Sequence, residues 1–280
     1  MSNRPDDPAR AEAAGRSAGP PRQRGSAAHD VASVGASTFW PYPRWIAHRG
    51  AGKLAPENTL AAFQAGAAHG YRMFECDVKL SADDVPFLLH DAALERTSTG
   101  KGLAGEQPWD VLATLDAGRW HSPQFTGEPL PTLESIARYC LDKGYFLNIE
   151  IKPTPGLDSH TGTVVANQAA RLWQGKAIPP LLTSFQPAAL EAARAAQPQL
   201  PRGLLLDTLT ENWLETAAKL QCVAIVCNHR LWNAGTVAQA KQAGFRTLSY
   251  TVNDERSARR LIGLGTDGVI TDRVDIFRPD

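Results

Sequence analysis

Short apolar runs alternate with longer amphipathic stretches between residues 44 and 271. Runs of strand type fall at 44–49, 72–79, 85–90, 145–152, 180–185, 203–207, 222–227, 246–253 and 267–271. Stretches of helix type fall at about 58–69, 131–143, 161–175, 187–196, 211–219, 235–243 and 254–264. Strands that alternate with helices imply a parallel sheet covered on its outer face. The number of units fits a closed, distorted (β/α)8 barrel better than an open sheet. Nine strand candidates compete for eight barrel positions, so one is expected outside the barrel. The link from Leu80 to Val85 is too short for a helical crossover. The second and third strands are therefore expected as a hairpin or as a tight irregular return. In the first helix Asn58 is the expected N-cap, Leu60, Phe63 and Ala67 the apolar stripe, and Gly70 the exit.

Outside this alternation lie two segments. Residues 1–39 mix Arg, Ala, Gly, Pro, Ser and Asp and contain no apolar run of a signal peptide. They read as a disordered tail, because they cannot bury enough surface to offset the entropy of ordering. Residues 40–280 read as the barrel domain. Within it, about 92–130 is rich in Gly, Thr, Trp and charge and reads as an insertion above the barrel mouth.

Composition narrows the partners. Lys plus Arg and Asp plus Glu both total 29, so the net charge is zero. That balance favours neither nucleic acid nor an anionic membrane. No run approaches the roughly 20 apolar residues of a membrane span. Cys76, Cys140, Cys222 and Cys227 are scattered and fit no zinc spacing, so they read as buried reduced thiols in a reducing, cytoplasmic setting. His69 reads as exposed at a helix end, and His121, His160 and His229 as loop residues. Trp109, Trp120, Trp173, Trp213 and Trp232 read as packing anchors.

The chemistry concentrates at strand ends. A strand turns alternate side chains to one face, so Glu75 and Asp77 point together and Cys76 points away. Glu150 and Lys152 share a face by the same rule, just before Pro153. His48, Arg49 and His90 follow short apolar runs. Barrel enzymes work at the C-terminal ends of their strands, and four consecutive strands are expected to deliver these groups to one rim. Glu75, Asp77 and Glu150 would offer oxygen donors to a hard cation, Mg2+ or Ca2+. Zinc would instead require His48 and His90 as ligands. Arg49 and Lys152 suit an anionic substrate, and two imidazoles suit proton transfer. The loop Gly50-Ala51-Gly52-Lys53 lacks the spacing of a nucleotide-binding loop and reads as a tight turn near the site.

His48-Arg49-Gly50, Pro56-Glu57-Asn58-Thr59, Glu75-x-Asp77, His90-Asp91 and Asn148-x-Glu150-Ile-Lys152 together resemble the glycerophosphodiester phosphodiesterase family. Ser184-Phe185, Tyr250-Thr251-Val252-Asn253 and Ile270-Thr271-Asp272 extend the resemblance to the C-terminus. The run Arg202–Asp207 looks most like the cytosolic bacterial type associated with glycerol phosphate uptake. The resemblance implies a barrel of the phospholipase-C-like phosphodiesterase type with an insertion after the third strand. It implies His48 and His90 as the acid/base pair, and Glu75, Asp77 and Glu150 as metal ligands. Glu57 would lie near the metal or the substrate, and Arg49 and Lys152 would hold the phosphate. Tyr250 stands where many members carry Trp, as a substrate-facing wall. The implied reaction converts a glycerophosphodiester, such as glycerophosphocholine or glycerophosphoethanolamine, to glycerol 3-phosphate and an alcohol. The nucleophile would be water or the substrate's own 2-hydroxyl. The rival reading is a related phosphodiesterase acting on lysophospholipid or sphingolipid, which calls for an exposed apolar lip at the mouth.

Overall fold

A computed structural model describes residues 40–279 of the chain, and the tail expected over 1–39 lies outside the described residues. Eight parallel strands close a barrel: β1 (Trp45–Ala47), β2 (Met73–Leu80), β4 (Phe146–Ile151), β5 (Leu181–Ser184), β6 (Arg202–Leu206), β7 (Ala224–Asn228), β8 (Arg246–Tyr250) and β9 (Gly268–Thr271). Hydrogen bonding runs β1-β9-β8-β7-β6-β5-β4-β2, and the pairing of β1 with β2 shuts the ring. The ninth candidate, β3 (Pro86–Leu88), is not a barrel strand. It folds back antiparallel on the upper end of β2, with Val78 opposite Leu88 and Leu80 opposite Pro86. The short link is thus a hairpin turn. Ser81 accepts from the Val85 N–H through its hydroxyl, and Asp84 takes a positive φ.

Helices α1 (Leu60–Ala68), α3 (Leu133–Lys143), α4 (Asp158–Leu172), α5 (Pro187–Ala196), α6 (Trp213–Lys219), α7 (Ala234–Gln242) and α8 (Glu255–Gly263) carry the crossovers. The single-turn α2 (Trp109–Leu112) belongs to the insertion. Apolar side chains are buried in two layers. Ile46, Met73, Leu181, Leu205, Val226, Leu248 and Ile270 fill the barrel interior. Phe74, Cys76, Val78, Leu147, Ile149 and Ile225 face outward onto the helices. The alternation along each strand is what separates the layers. All four cysteines are buried and free.

The helix readings need three corrections. Thr59, not Asn58, caps α1, with its side chain accepting from the Ala62 N–H. The buried face of α1 is Ala62, Phe63 and Gly66, while Leu60 and Ala67 are only partly covered. The cause is close approach: a Cβ at Gly66 would lie 2.1 Å from the Gly50 carbonyl oxygen, so small residues must face that loop. Gly70 does take the positive φ of the exit. His160 sits in the first turn of α4 rather than in a loop, and bonds Asp84.

The stretch between β3 and α3 packs on its own. Phe87, Leu89, Leu94, Ala104, Leu112, Ala117 and Leu130 form a small separate core. Glu128 accepts from the Ala61 N–H at the start of α1, and His121 donates to the Lys53 carbonyl. The insertion is therefore anchored to the loop that follows β1. No helix among the described residues is long and apolar enough to cross a membrane.

Candidate active site at the barrel mouth

Register places the acidic groups. Asp77 of β2 stands beside Glu150 of β4, and Glu75 beside Asn148. Carboxylate oxygens of Glu75, Asp77 and Glu150 approach within 4.8 Å of one another. Glu75 and Asp77 are 2% and 1% exposed, and Glu75 Oε1 and Asp77 Oδ1 have no hydrogen-bond partner. Buried anionic oxygens without donors fit a hard cation with oxygen ligands. Neither histidine belongs to this group, so its three donors are all carboxylate oxygens.

His48 follows β1 directly, between β9 and β2. Its Nδ1 lies 2.6 Å from Asp272 Oδ1, and its Nε2 3.8 Å from Glu75 Oε2. Asp272 is itself held by the side-chain amide of Asn253, at 2.7 Å. His90 arrives from the β3 hairpin, so three barrel strands and one antiparallel arm supply the rim, rather than four barrel strands. The N–H of Leu89 donates to the Asp77 carbonyl, which seats the arm against β2. His90 Nδ1 lies 2.7 Å from Asp91 Oδ1. In both residues the carboxylate partner assigns the proton to Nδ1 and leaves Nε2 to the site.

Cations interleave with these anions. Arg49 Nη1 donates to Glu57 at 2.7 Å, and Nε lies 3.2 Å from Asp77. Lys152 Nζ donates to Glu150 at 2.9 Å and lies 3.5 Å from Asp77. Glu57 thus meets a guanidinium rather than the acidic trio. The ring of Tyr250 packs edge-on against Phe185, and its hydroxyl donates to the Leu206 carbonyl.

The electrostatics separate these groups. Burial and the charge of Asp77 raise both Glu75 and Glu150 above the usual carboxylate range. Burial acts on Asp77 too, but Arg49 and Lys152 outweigh it and hold Asp77 low. Burial pulls His48 down, yet the Asp272 hydrogen bond and the Glu75 charge carry it above the ordinary histidine value. Burial also lowers His90; Asp77 opposes this, but Arg49 and Lys152 add to it, and His90 stays low.

The loop after β1 holds strained backbone. Arg49 and Asn58 have φ of 51° and 59°, outside the range most side chains prefer. Gly52 has φ of 59°, and a Cβ there would lie 2.2 Å from the Asp272 backbone. That glycine lets the loop lie against the segment that orients His48.

Several groups at the rim carry no role in the sequence reading. Asn58, read as a cap, clamps Asp77: its Nδ2 donates to Oδ2 at 2.8 Å, and its Oδ1 accepts from the Asp77 N–H at 3.1 Å. Lys79 is two residues beyond Asp77 on the same face and buried. It donates to the Lys152 carbonyl at 3.3 Å, and burial with the Lys152 charge lowers its pKa to about 8. Arg96, from the insertion, bonds both Asp91 and Glu57. The two-residue period points to Lys79, and the last-strand motif contains Asp272. Arg96 has no periodic signal.

Charge gathered at the C-terminal rim of a closed (β/α)8 barrel is where such enzymes do their chemistry. An acidic cluster that could hold a divalent cation, two imidazoles and two cations suit the hydrolysis of phosphoric diesters. Residues 48–276 match the glycerophosphoryl diester phosphodiesterase family, and the chain belongs to that family. It is 30% identical to a glycerophosphodiester phosphodiesterase of Caldanaerobacter subterraneus, over 81% of this chain and 93% of that one. It is 28% identical to a Bacillus subtilis enzyme of the same name, over 83% of this chain and 84% of the relative. Among solved structures it resembles an Oleispira antarctica phosphodiesterase in complex with the product sn-glycerol-3-phosphate. That match has a TM-score of 0.77 and 34% identity, and covers 82% of this chain and 93% of that chain. The enzyme class is glycerophosphodiester phosphodiesterase.

Proposed function

We propose that the chain hydrolyses small glycerophosphodiesters, such as glycerophosphocholine and glycerophosphoethanolamine, to glycerol 3-phosphate and the free alcohol. The observation that carries this is the pair of carboxylate-backed imidazoles, His48–Asp272 and His90–Asp91, that feel the charge of the acidic trio, His48 that of Glu75 and His90 that of Asp77. The product held by the Oleispira antarctica relative supports the glycerol 3-phosphate half of the substrate.

Glu75, Asp77 and Glu150 would hold Mg2+ or Ca2+, which when bound supplies positive charge opposite the phosphate oxygens. Arg49 and Lys152 bind the same phosphate, Arg49 as a planar fork and Lys152 as a point charge. His90, kept neutral by burial and neighbouring cations, takes the proton of the nucleophile at Nε2. His48, raised above the ordinary histidine value by the Asp272 hydrogen bond and the Glu75 charge against the pull of burial, returns a proton to the leaving alcohol. The nucleophile is water or the glycerol 2-hydroxyl, and the second route passes through a cyclic phosphate.

Release of glycerol 3-phosphate by the purified chain, with and without chelator, tests the reading. We expect chelator to abolish release, and His48→Ala and His90→Ala to lose about 10²–10⁴-fold in kcat with the fold intact. Chelator-resistant turnover, or full activity in either variant, overturns it. Phosphorus NMR during turnover distinguishes the two nucleophiles. One observation favours lysophospholipid as a second reading. Leu54 and Trp120 are 37% and 40% exposed, on segments joined by the His121–Lys53 bond. Faster cleavage of a lysophospholipid than of glycerophosphocholine would establish it.

A further inference from the structure

Arg96 lies where the insertion meets the mouth, and its guanidinium spans two carboxylates. Nε and Nη2 donate to Asp91 Oδ2 and Oδ1 at 2.6 and 3.0 Å. Nη1 and Nη2 donate to Glu57 Oε2 and Oε1 at 2.8 Å each. Both carboxylates are gripped by both oxygens, a geometry that lysine cannot reproduce. Beyond them the network reaches the site. Asp91 Oδ1 accepts from His90, and Glu57 Oε1 accepts from Arg49. A single side chain of the insertion thus joins His90, Asp91, Glu57 and Arg49 in one continuous circuit.

Folding stability does not account for this arrangement. The Arg96 side chain is 44% exposed, and ion pairs at such exposure contribute little to stability. Orientation does account for it. An imidazole or guanidinium held by one contact swings about that contact, and a fork behind the contact stops the swing. Glu57 has both oxygens occupied by guanidinium donors, which leaves it aimed at Arg49 and not at the acidic trio.

We infer that Arg96 is a positioning residue that ties the insertion to the catalytic rim, fixing His90 through Asp91 and Arg49 through Glu57. This rests on the proposed function for its catalytic consequence, but not for its structural one.

Double-mutant cycles test it. Kinetics with glycerophosphocholine and saturating Mg2+ compare Arg96→Met and Arg96→Lys, alone and combined with Asp91→Asn or Glu57→Gln. Arg96→Met should lower kcat about 10–100-fold and raise KM several-fold, the scale of a small misplacement. The kcat loss should vanish in the Asp91→Asn background and the KM rise in the Glu57→Gln background. Arg96→Lys should recover one effect at most, because a point donor cannot span both carboxylates. Unchanged kinetics in Arg96→Met, or losses that multiply fully in both backgrounds, overturn the inference. A nitrogen-15 NMR titration of the His90 ring needs no turnover and separates this inference from the proposed activity. Asp77, Arg49, Lys152 and Asp91 face that ring and are unchanged in Arg96→Met. Loss of the cation that neutralises Asp91 should move the His90 midpoint to higher pH. An unmoved midpoint sinks the inference even if the enzyme is active.

Discussion

Replacing Asn58 by Ala should destabilise the chain far more than loss of a helix cap. Asn58 is 2% exposed and makes two hydrogen bonds to Asp77, one to its carboxylate and one from its backbone N–H. A buried bond to a charged acceptor is worth about 1.5–3 kcal/mol, and a neutral one about 1 kcal/mol. The φ of 59° adds about 1 kcal/mol against Ala, because Asn, with its short polar side chain, tolerates the left-handed region better than Ala does. The sum is about 3.5–5 kcal/mol. For a chain of this size each kcal/mol lowers Tm by about 2–4 °C, so a fall of about 10 °C is expected. Asn58→Gly loses the same bonds without the backbone strain, and should be about 1 kcal/mol less damaging than Ala. Both variants also free the Asp77 carboxylate, so both should bind Mn2+ more weakly by calorimetric titration. Denaturant unfolding of the two variants provides the measurement. An Asn58→Ala free energy within 1 kcal/mol of the parent would show that the clamp carries no load and would refute the reasoning.

Two further outcomes follow from the titrating groups. Glu75 and Glu150 are raised in the fold above the roughly 4.3 of an unfolded glutamate. Their contribution is therefore fully present below about pH 4.3 and is lost as pH climbs through their folded values. Without divalent cation Tm should fall as pH rises from 5 to 8, and the gap to the Mg2+-saturated protein should widen; a gap that stays constant with pH counts against the acidic trio as the cation site. Asp272→Asn removes the group that lifts His48, so kcat should fall about 10²–10⁴-fold, and the alkaline limb of the kcat/KM profile should move to lower pH; an unshifted limb would separate Asp272 from proton transfer.

The barrel was legible because parallel strands buried on both faces read as continuous apolar runs, and each of the nine runs proved to be a strand. The position of the acidic groups was legible for a related reason. A period of two puts Glu75 with Asp77 and Glu150 with Lys152 without any knowledge of the fold. The same period could not say that β3 turns back, since a hairpin arm and a barrel strand have the same alternation; only the shortness of the Leu80–Val85 link hinted at it. Asn58 misled because Asn before a helix is a common cap, and the local preference lost to a tertiary partner, Asp77, 19 residues away. The stripe of α1 misled because a glycine contact, Gly66 on Gly50, set the rotation of the helix. Arg96 was illegible: an arginine in a loop has no pattern, and its meaning comes from two carboxylates brought together by the fold.

The balance of charge at the mouth links these pieces. Six carboxylates gather there, on Glu57, Glu75, Asp77, Glu150, Asp91 and Asp272, against four fixed cations, on Arg49, Lys79, Arg96 and Lys152. With both imidazoles neutral, full ionisation leaves two negative charges in excess, and protonation of His48, the state its proposed acid role needs, offsets one of them. Much of this charge is buried, and buried charge must be compensated or neutralised. Two routes exist. Two carboxyls can keep their protons, and the two that burial and Asp77 push upward are Glu75 and Glu150. Alternatively, a divalent cation can supply the two positive charges among those same oxygens, joined by Asp77. That both routes converge on the same residues is a property of the arrangement, since Glu57, Asp77 and Asp91 each have a guanidinium at ion-pair distance and Glu75 and Glu150 do not. Glu57 and Asp91 escape the competition because two guanidinium groups, Arg49 and Arg96, pair with them, which leaves the deficit concentrated where a phosphate-binding cation would sit.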